Sequence, residues 1–228
     1  MSSHWIATPL EGALEELDAA GFLAPRNQTV KRVFEVAIAG LLMILAFPVA
    51  LVIALAIVLE TRGPVFFGHT RIGKNYRRFR LWKFRSMVVD ADVALRRYLE
   101  DHPEQRAEWR YNHKLKRDPR VTRVGRLLRR SSLDELPQLW NLLRGDMSLI
   151  GPRPIVEEEV AKYGPALSLY LLVLPGLTGM WQVSGRADTS YRRRVDLDTE
   201  YIRNGSFWVD VKILAKTVRV VVCGHGAY

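Results

Sequence analysis

Hydrophobic positions are laid out along the chain in three distinct ways. From Val36 to Leu59 they are continuous, VAIAGLLMILAFPVALVIALAIVL, 24 residues without a charge. That exceeds the roughly 20 residues a helix needs to cross a bilayer core. From Asp90 to Asp101 apolar residues recur at helical spacing, predicting an amphipathic helix that stops near Pro103, with a second short helix around Glu104 to His113. From Phe207 to Val222, the residues Trp208, Val211, Leu214 and Val218 are interleaved with Lys212, Lys216 and Arg219. This third pattern suits either packing on the core or lying in a membrane interface. Residues 1–30 show no motif and read as a tail or a short surface helix.

The continuous run starts too late and is too long for the apolar part of a secretory signal, so it is expected to be retained. Two topologies fit it, a straight span and a re-entrant hairpin with both ends on one side. Pro48 lies mid-run, where it removes a backbone donor and clashes with the preceding turn. Spanning helices also tolerate proline. Lys31 and Arg32 precede the run and Arg62, Arg71 and Lys74 follow it. Basic residues favour the cytoplasmic side, so this flanking favours the hairpin. The acidic stretch from Glu11 to Asp18 keeps the straight span open.

At 228 residues and 48% hydrophobic, the chain can bury one core beside a membrane element. The expected division is 1–30, a membrane helix at 31–60, and a membrane-associated catalytic domain at 61–228. The net charge of +10 calls for an anionic partner, and residues 61–130 concentrate it, with 20 Lys and Arg against 7 Asp and Glu. A solvated basic face is the plain explanation of such a run; its place beside the apolar segment suggests phosphate esters or lipid headgroups instead. Cys223 is the only cysteine, which excludes a disulfide framework and a cysteine-rich metal site.

Chemistry is concentrated in RRSSLDELPQLWNLLRGDMSLIGPRP, residues 129–154, where adjacent carboxylates stand among arginines. A carboxylate can attack phosphorus, a second can hold a divalent ion, and guanidiniums can clamp phosphoryl oxygens. The competing explanation is structural. Ser132, Leu133, Asp134 and Glu135 match a Ser-x-x-Glu capping box, with Glu135 folding back on a helix start. Pro137 would then sit past the first turn, so a helix beginning one or two residues later suits it better. Asp146 reads either as a turn former or as a group that positions the neighbouring loop or a metal.

The length of the pattern decides between them. GPVFFGHTRIG at 63–73, KFRSM at 83–87, DPRVTRVGRLLRRSSLDELPQLWNLLRGDMSLIGPRP at 118–154 and PGLTGMWQVSGR at 175–186 resemble the monotopic bacterial sugar transferases. These are phosphoglycosyl transferases that load the first sugar of a surface polysaccharide onto undecaprenyl phosphate. Size and ending resemble the short exopolysaccharide-initiating members, described as galactose phosphate transferases.

The resemblance implies a mainly α fold with minor β, a Pro-broken re-entrant helix, interfacial amphipathic helices, and a place in the bacterial inner membrane with the catalytic domain facing the cytoplasm. It implies that Asp134 is the nucleophile, that Glu135 and Asp134 hold Mg2+, and that Arg153, with Arg129, Lys83 and Arg85, binds the substrate phosphates or nucleotide. UDP-galactose or UDP-glucose would be the donor, undecaprenyl phosphate the acceptor and UMP the product. A homodimer stays open. Two positions depart from the family pattern: Tyr76 stands where glycine is frequent, and Leu174 where a basic residue often precedes Pro-Gly. The apolar stretch Leu169 to Leu174 is therefore expected to pack or touch lipid.

A membrane-tethered protein that binds nucleic acid or anionic lipid without catalysis is the alternative, which the basic region would serve. No stacking motif supports it, so nucleic acid is not an expected partner. A non-catalytic scaffold would be marked by loss of the carboxylates, and both are present.

Overall fold

The computed structural model describes residues 25–112, 115, 118–185 and 189–223. The tail expected over 1–30 therefore lies mostly outside the described residues, as does Arg186 at the end of PGLTGMWQVSGR. The chain is mainly helical, with two small two-stranded sheets. It forms two compact units, one drawing on 25–45, 68–82 and 138–223, the other on 46–67 and 83–137.

The first helix, α1, covers Pro25–Thr61 in 37 residues, about 55 Å at 1.5 Å per residue. Helical backbone continues through Pro48, and the division between the two units falls just before it, at Leu45 and Ala46. Leu41, Ile44, Leu45, Phe47, Val52 and Leu55 are all more than half exposed. Only 11% of the most apolar 18-residue window in Thr29–Thr61 is buried, so this is no core helix of a water-soluble domain.

Each end of α1 is tied down within its own unit. Near the start, Lys31 Nζ bonds Asp210 Oδ2 at 2.7 Å and Tyr201 Oη at 3.1 Å, Arg32 donates to the carbonyls of Met147 and Leu142, and Ser148 Oγ donates to the buried Glu35. At the other end, Ile53 and Ile57 pack with Phe84 and Leu128. Glu60 accepts there from the backbone N–H groups of Arg123 at 2.7 Å and Val124 at 3.1 Å. That carboxylate serves the free donors at the start of helix α4, Arg123–Ser131, whose own cap is Thr122.

Strands β1, Phe66–Ile72, and β2, Arg78–Phe84, are joined by five residues, too few for a parallel crossover, so they form a hairpin. Its turn holds Asn75 at φ 55° and Tyr76 at φ 61°, the left-handed region that glycine occupies without strain. Tyr76 stands where the family pattern often has glycine, and its hydroxyl donates to Glu157 Oε1 at 2.6 Å. The expected amphipathic helix is α2, Ala91–Asp101, followed by α3, Pro103–Asn112.

In the unit that contains residues 138–223, one core cluster is Ile72, Ile155, Tyr163, Tyr170 and Leu171. Helix α5 covers Gln138–Arg144, α6 Glu157–Tyr163, α7 Leu167–Leu172 and α8 Tyr191–Asn204. Leu169 through Leu172 are buried, so this stretch packs against protein. Strands β3, Ser148–Ile150, and β4, Gly176–Thr178, pair in parallel, Ser148 with Gly176 and Ile150 with Thr178. A Cβ on Gly151 would stand 2.5 Å from the Leu174 carbonyl oxygen, so only glycine lets the Gly-Pro-Arg-Pro loop approach β4 this closely.

The last helix, α9, is Phe207–Cys223. One face of it packs on the core and the other is exposed. Ile213 is buried and Thr217 hydrogen-bonds Thr178 at 2.7 Å, whereas Phe207, Trp208, Val211 and Val218 are exposed beside the exposed Lys212, Lys216 and Arg219.

Candidate active site

Helix α4 ends at Ser132, which takes the left-handed conformation at φ 56° and donates its backbone N–H to the Arg129 carbonyl. The chain then makes one 3-10 turn, Leu133–Glu135, before α5 starts after Pro137. This corrects the capping-box expectation. Ser132 terminates one helix rather than starting the next, and its side chain caps nothing. Left-handed backbone at Ser132 aims its side chain away from a helix N-terminus. The α-helix that follows begins at Gln138, as Pro137 requires.

The turn places Asp134 inward and nearly buried, 8% exposed, with Glu135 half-buried beside it. Lys83, at the end of β2, sends its ammonium between them, 2.7 Å from Glu135 Oε1 and 3.4 Å from Asp134 Oδ2. Arg129 donates Nε–H to Ser86 Oγ at 2.9 Å and lies within electrostatic reach of Asp134. Burial pushes the Asp134 carboxyl above the ordinary aspartate range; Lys83 pulls it back and Glu135 pushes it further up. Burial likewise holds Arg129 below its usual value, against the pull of Asp134.

The backbone supports this placement. A Cβ on Gly125 would lie 2.0 Å from the Ser86 carbonyl oxygen, so glycine alone lets α4 contact the strand end that carries Lys83. Arg85 is bound elsewhere, donating Nε–H to the Pro64 carbonyl at 2.7 Å, with no carboxylate among its described hydrogen-bond partners. Of the expected residues, one unit therefore gathers Asp134, Glu135, Lys83 and Arg129, and leaves Arg85 as a brace for the segment after α1.

Arg153 belongs to the other unit. Its guanidinium lies over the Trp181 ring, 5.2 Å from the centroid, and the guanidinium of Arg194 is 5.1 Å from the same centroid. Arg194 pairs with Glu159 at 3.0 Å, and Tyr163 Oη donates to Asp198 at 2.7 Å. Arg194 and Asp198 went unnoticed in the sequence. Their signal was an Arg-x-x-x-Asp spacing beside Leu197 and Tyr201, which puts a charge pair on the buried face of α8. Asp146 closes α5, 3.6 Å from Arg144 and 3.9 Å from Arg77, with Asn141 Nδ2 donating to it at 3.3 Å.

Among the described residues no three His, Cys, Asp or Glu side chains cluster. Asp134 and Glu135 alone still fit magnesium, which commonly takes one or two carboxylates and completes its shell with water and substrate phosphates.

These features define a mainly helical protein with one helix apolar and long enough for a membrane, and a buried carboxylate held between cationic side chains. The chain belongs to the bacterial sugar transferase family, whose profile matches residues 26–224. It is 48% identical over 202 residues to a UDP-galactose-lipid carrier transferase of Erwinia amylovora, covering 89% of this chain and 42% of that protein. It is 45% identical over 207 residues to an undecaprenyl-phosphate galactose phosphotransferase of Salmonella typhimurium, covering 90% and 43%. The chain thus spans less than half the length of these two relatives. With an exopolysaccharide production protein, ExoY, of Rhizobium meliloti, it shares 44% identity over 211 residues, covering 92% and 93%.

Proposed function

We propose that this protein transfers a hexose 1-phosphate from a UDP-sugar to undecaprenyl phosphate, as the first step of exopolysaccharide or other surface glycan synthesis. The observation that carries the proposal is the buried Asp134 facing Lys83 and Arg129 with Glu135 alongside. Relatives named for galactose phosphate or exopolysaccharide chemistry support it and make galactose the first choice of sugar, glucose the second.

In this mechanism an Asp134 oxygen attacks the phosphorus that carries the sugar. The bond from that phosphorus to the bridging oxygen breaks, and UMP leaves with the electron pair. An aspartyl-phosphosugar remains. An oxygen of the lipid phosphate then attacks the same phosphorus and displaces the carboxylate, giving a polyprenyl diphosphate sugar and restoring Asp134. Lys83 keeps Asp134 ionised despite its burial, and Arg129 offers positive charge to the phosphoryl oxygens. Magnesium bound by Glu135 and Asp134 would neutralise charge on the transferring phosphate.

Residues 31–60 form, in this proposal, a re-entrant anchor that bends at Pro48 and returns both ends to the cytoplasmic face of the inner membrane. The exposed face of α9, apolar with flanking lysines, lies in the headgroup layer. A soluble donor and a lipid acceptor can then reach one carboxylate in turn.

The test is labelling with UDP-sugar carrying radioactive β-phosphate. Wild type should retain the label and release UMP; Asp134→Asn should do neither. Full labelling of that variant rejects the nucleophile. Cysteine accessibility should place residues near 31 and beyond 61 on one side, and opposite sides would reject the hairpin.

A further inference from the structure

The helical unit that carries Arg153 contains a second cationic group, which the mechanism above does not use. Arg71 from β1, Arg153 from the Gly-Pro-Arg-Pro loop and Arg194 from α8 come together around Trp181 and Glu159. Arg194 is only 5% exposed, and the rings of Trp181 and Tyr191 flank its guanidinium at 5.1 and 5.0 Å. Its Nη1 is used by Glu159, but among the described residues its buried Nε and Nη2 meet no hydrogen-bond acceptor, and Asp198 Oδ1 likewise meets no donor. Arg71 repeats the situation. Nη1 donates to the Pro154 carbonyl at 3.3 Å and lies 3.8 Å from Glu159, while its buried Nε has no acceptor.

A structural ion-pair network would use its donors, since a charged N–H left buried and unbonded keeps its full desolvation penalty. Among the described residues charge does not balance either. Three guanidiniums face Glu159 and Asp198, and Lys162 adds a further cation over Tyr191 at 5.2 Å. Arg71 bears the consequence: burial and then the charge of Arg153 bring it down to about 10. Crowded, desolvated guanidiniums, two of them beside aromatic rings, are preorganised to receive an oxyanion with several acceptor atoms.

We propose that Arg71 and Arg194 extend the phosphate-binding role that the family resemblance implies for Arg153 into a receptor for a phosphoryl oxyanion, in which Arg194 Nε and Nη2 and Arg71 Nε are the waiting donors. The anion chemistry stands on this geometry alone; the choice of ligands to test rests on the function proposed above. Two sources share that chemistry, the phosphates of a nucleotide and the phosphate of a prenyl lipid. Asp198, 3.9 Å from Arg194 Nε, weakens the receptor by its own charge while helping to hold the guanidinium.

Calorimetric titration of the full chain in detergent micelles, at constant ionic strength, with inorganic phosphate, UMP and farnesyl phosphate tests this. Arg71→Gln and Arg194→Lys should each weaken phosphate binding tenfold or more, and Asp198→Asn should strengthen it several-fold, which a purely structural carboxylate would not do. Parallel loss for UMP assigns the site to the nucleotide; loss for farnesyl phosphate alone assigns it to the lipid. Unchanged phosphate affinity in Arg71→Gln and Asp198→Asn overturns the proposal, and these two variants decide if Arg194→Lys fails to melt cooperatively. Phosphate affinity is read without UDP-sugar and without transfer, so rejection of the nucleophile would leave this result standing.

Discussion

Lys83 and Asp134 face each other across 3.4 Å, the longer of the two contacts that the lysine ammonium makes with carboxylates. The shorter goes to Glu135. The group proposed to attack phosphorus is therefore the less tightly paired of the two, ionised by a nearby cation yet not immobilised by it.

Removing that cation should show in a pH profile. Lys83 lowers the Asp134 pKa against the upward push of burial, so Lys83→Met should raise it further. The acid limb of sugar-phosphate transfer should move to higher pH, and the plateau rate should fall about a hundredfold. Transfer assays across pH 4 to 8 measure both; an unmoved acid limb would remove Lys83 from this role.

Asp198 offers a second titration, in stability. Burial, opposed by the Tyr163 hydroxyl and by Arg194, pushes its carboxyl up to about 6, above the roughly 3.9 of an unfolded aspartate. Between those values the folded chain holds a proton that the unfolded chain has released. The stability this supplies at low pH is lost as pH rises through 6, by on the order of 2 to 3 kcal/mol. In Asp198→Asn that decline should flatten, as seen by melting temperature against pH.

Gly125→Ala should destabilise by about 2 to 3 kcal/mol, because the new methyl group meets the Ser86 backbone rather than a movable side chain. Thermal melting gives the stability loss, and transfer should fall with it as the Lys83 strand end is displaced.

Glu60→Ala should cost about 1 kcal/mol by leaving two donors of α4 unserved, and Glu60→Gln less, since an amide oxygen still accepts. Chemical denaturation of the three proteins in one detergent ranks them.

Periodicity alone located α2 and α9, because each has one face against protein and one outside, and that difference is written in residue spacing. The continuous run at 36–59 disclosed an uncovered helix for the same reason. The site was half legible. Asp134 and Glu135 stand in a contiguous motif, but the local rule made Ser132 a helix start, whereas its left-handed backbone makes it an end. Backbone sign at one residue has no signature in side-chain pattern. Arg71 and Arg194 were hidden for another reason: they lie 123 positions apart, and only packing around Glu159 joins them.

The anchorage of α1 also sets an order of events during synthesis. Lys31 bonds Asp210, 179 residues later, and Glu35 bonds Ser148, 113 residues later. When the apolar helix leaves the ribosome, none of these partners has yet been made. On the proposed topology its charged base waits in the headgroup region, hydrated, until the chain has been translated as far as Asp210. On the proposed topology the apolar segment enters the lipid before its foundation exists, and α8 and α9, which carry Tyr201 and Asp210, lock it in place.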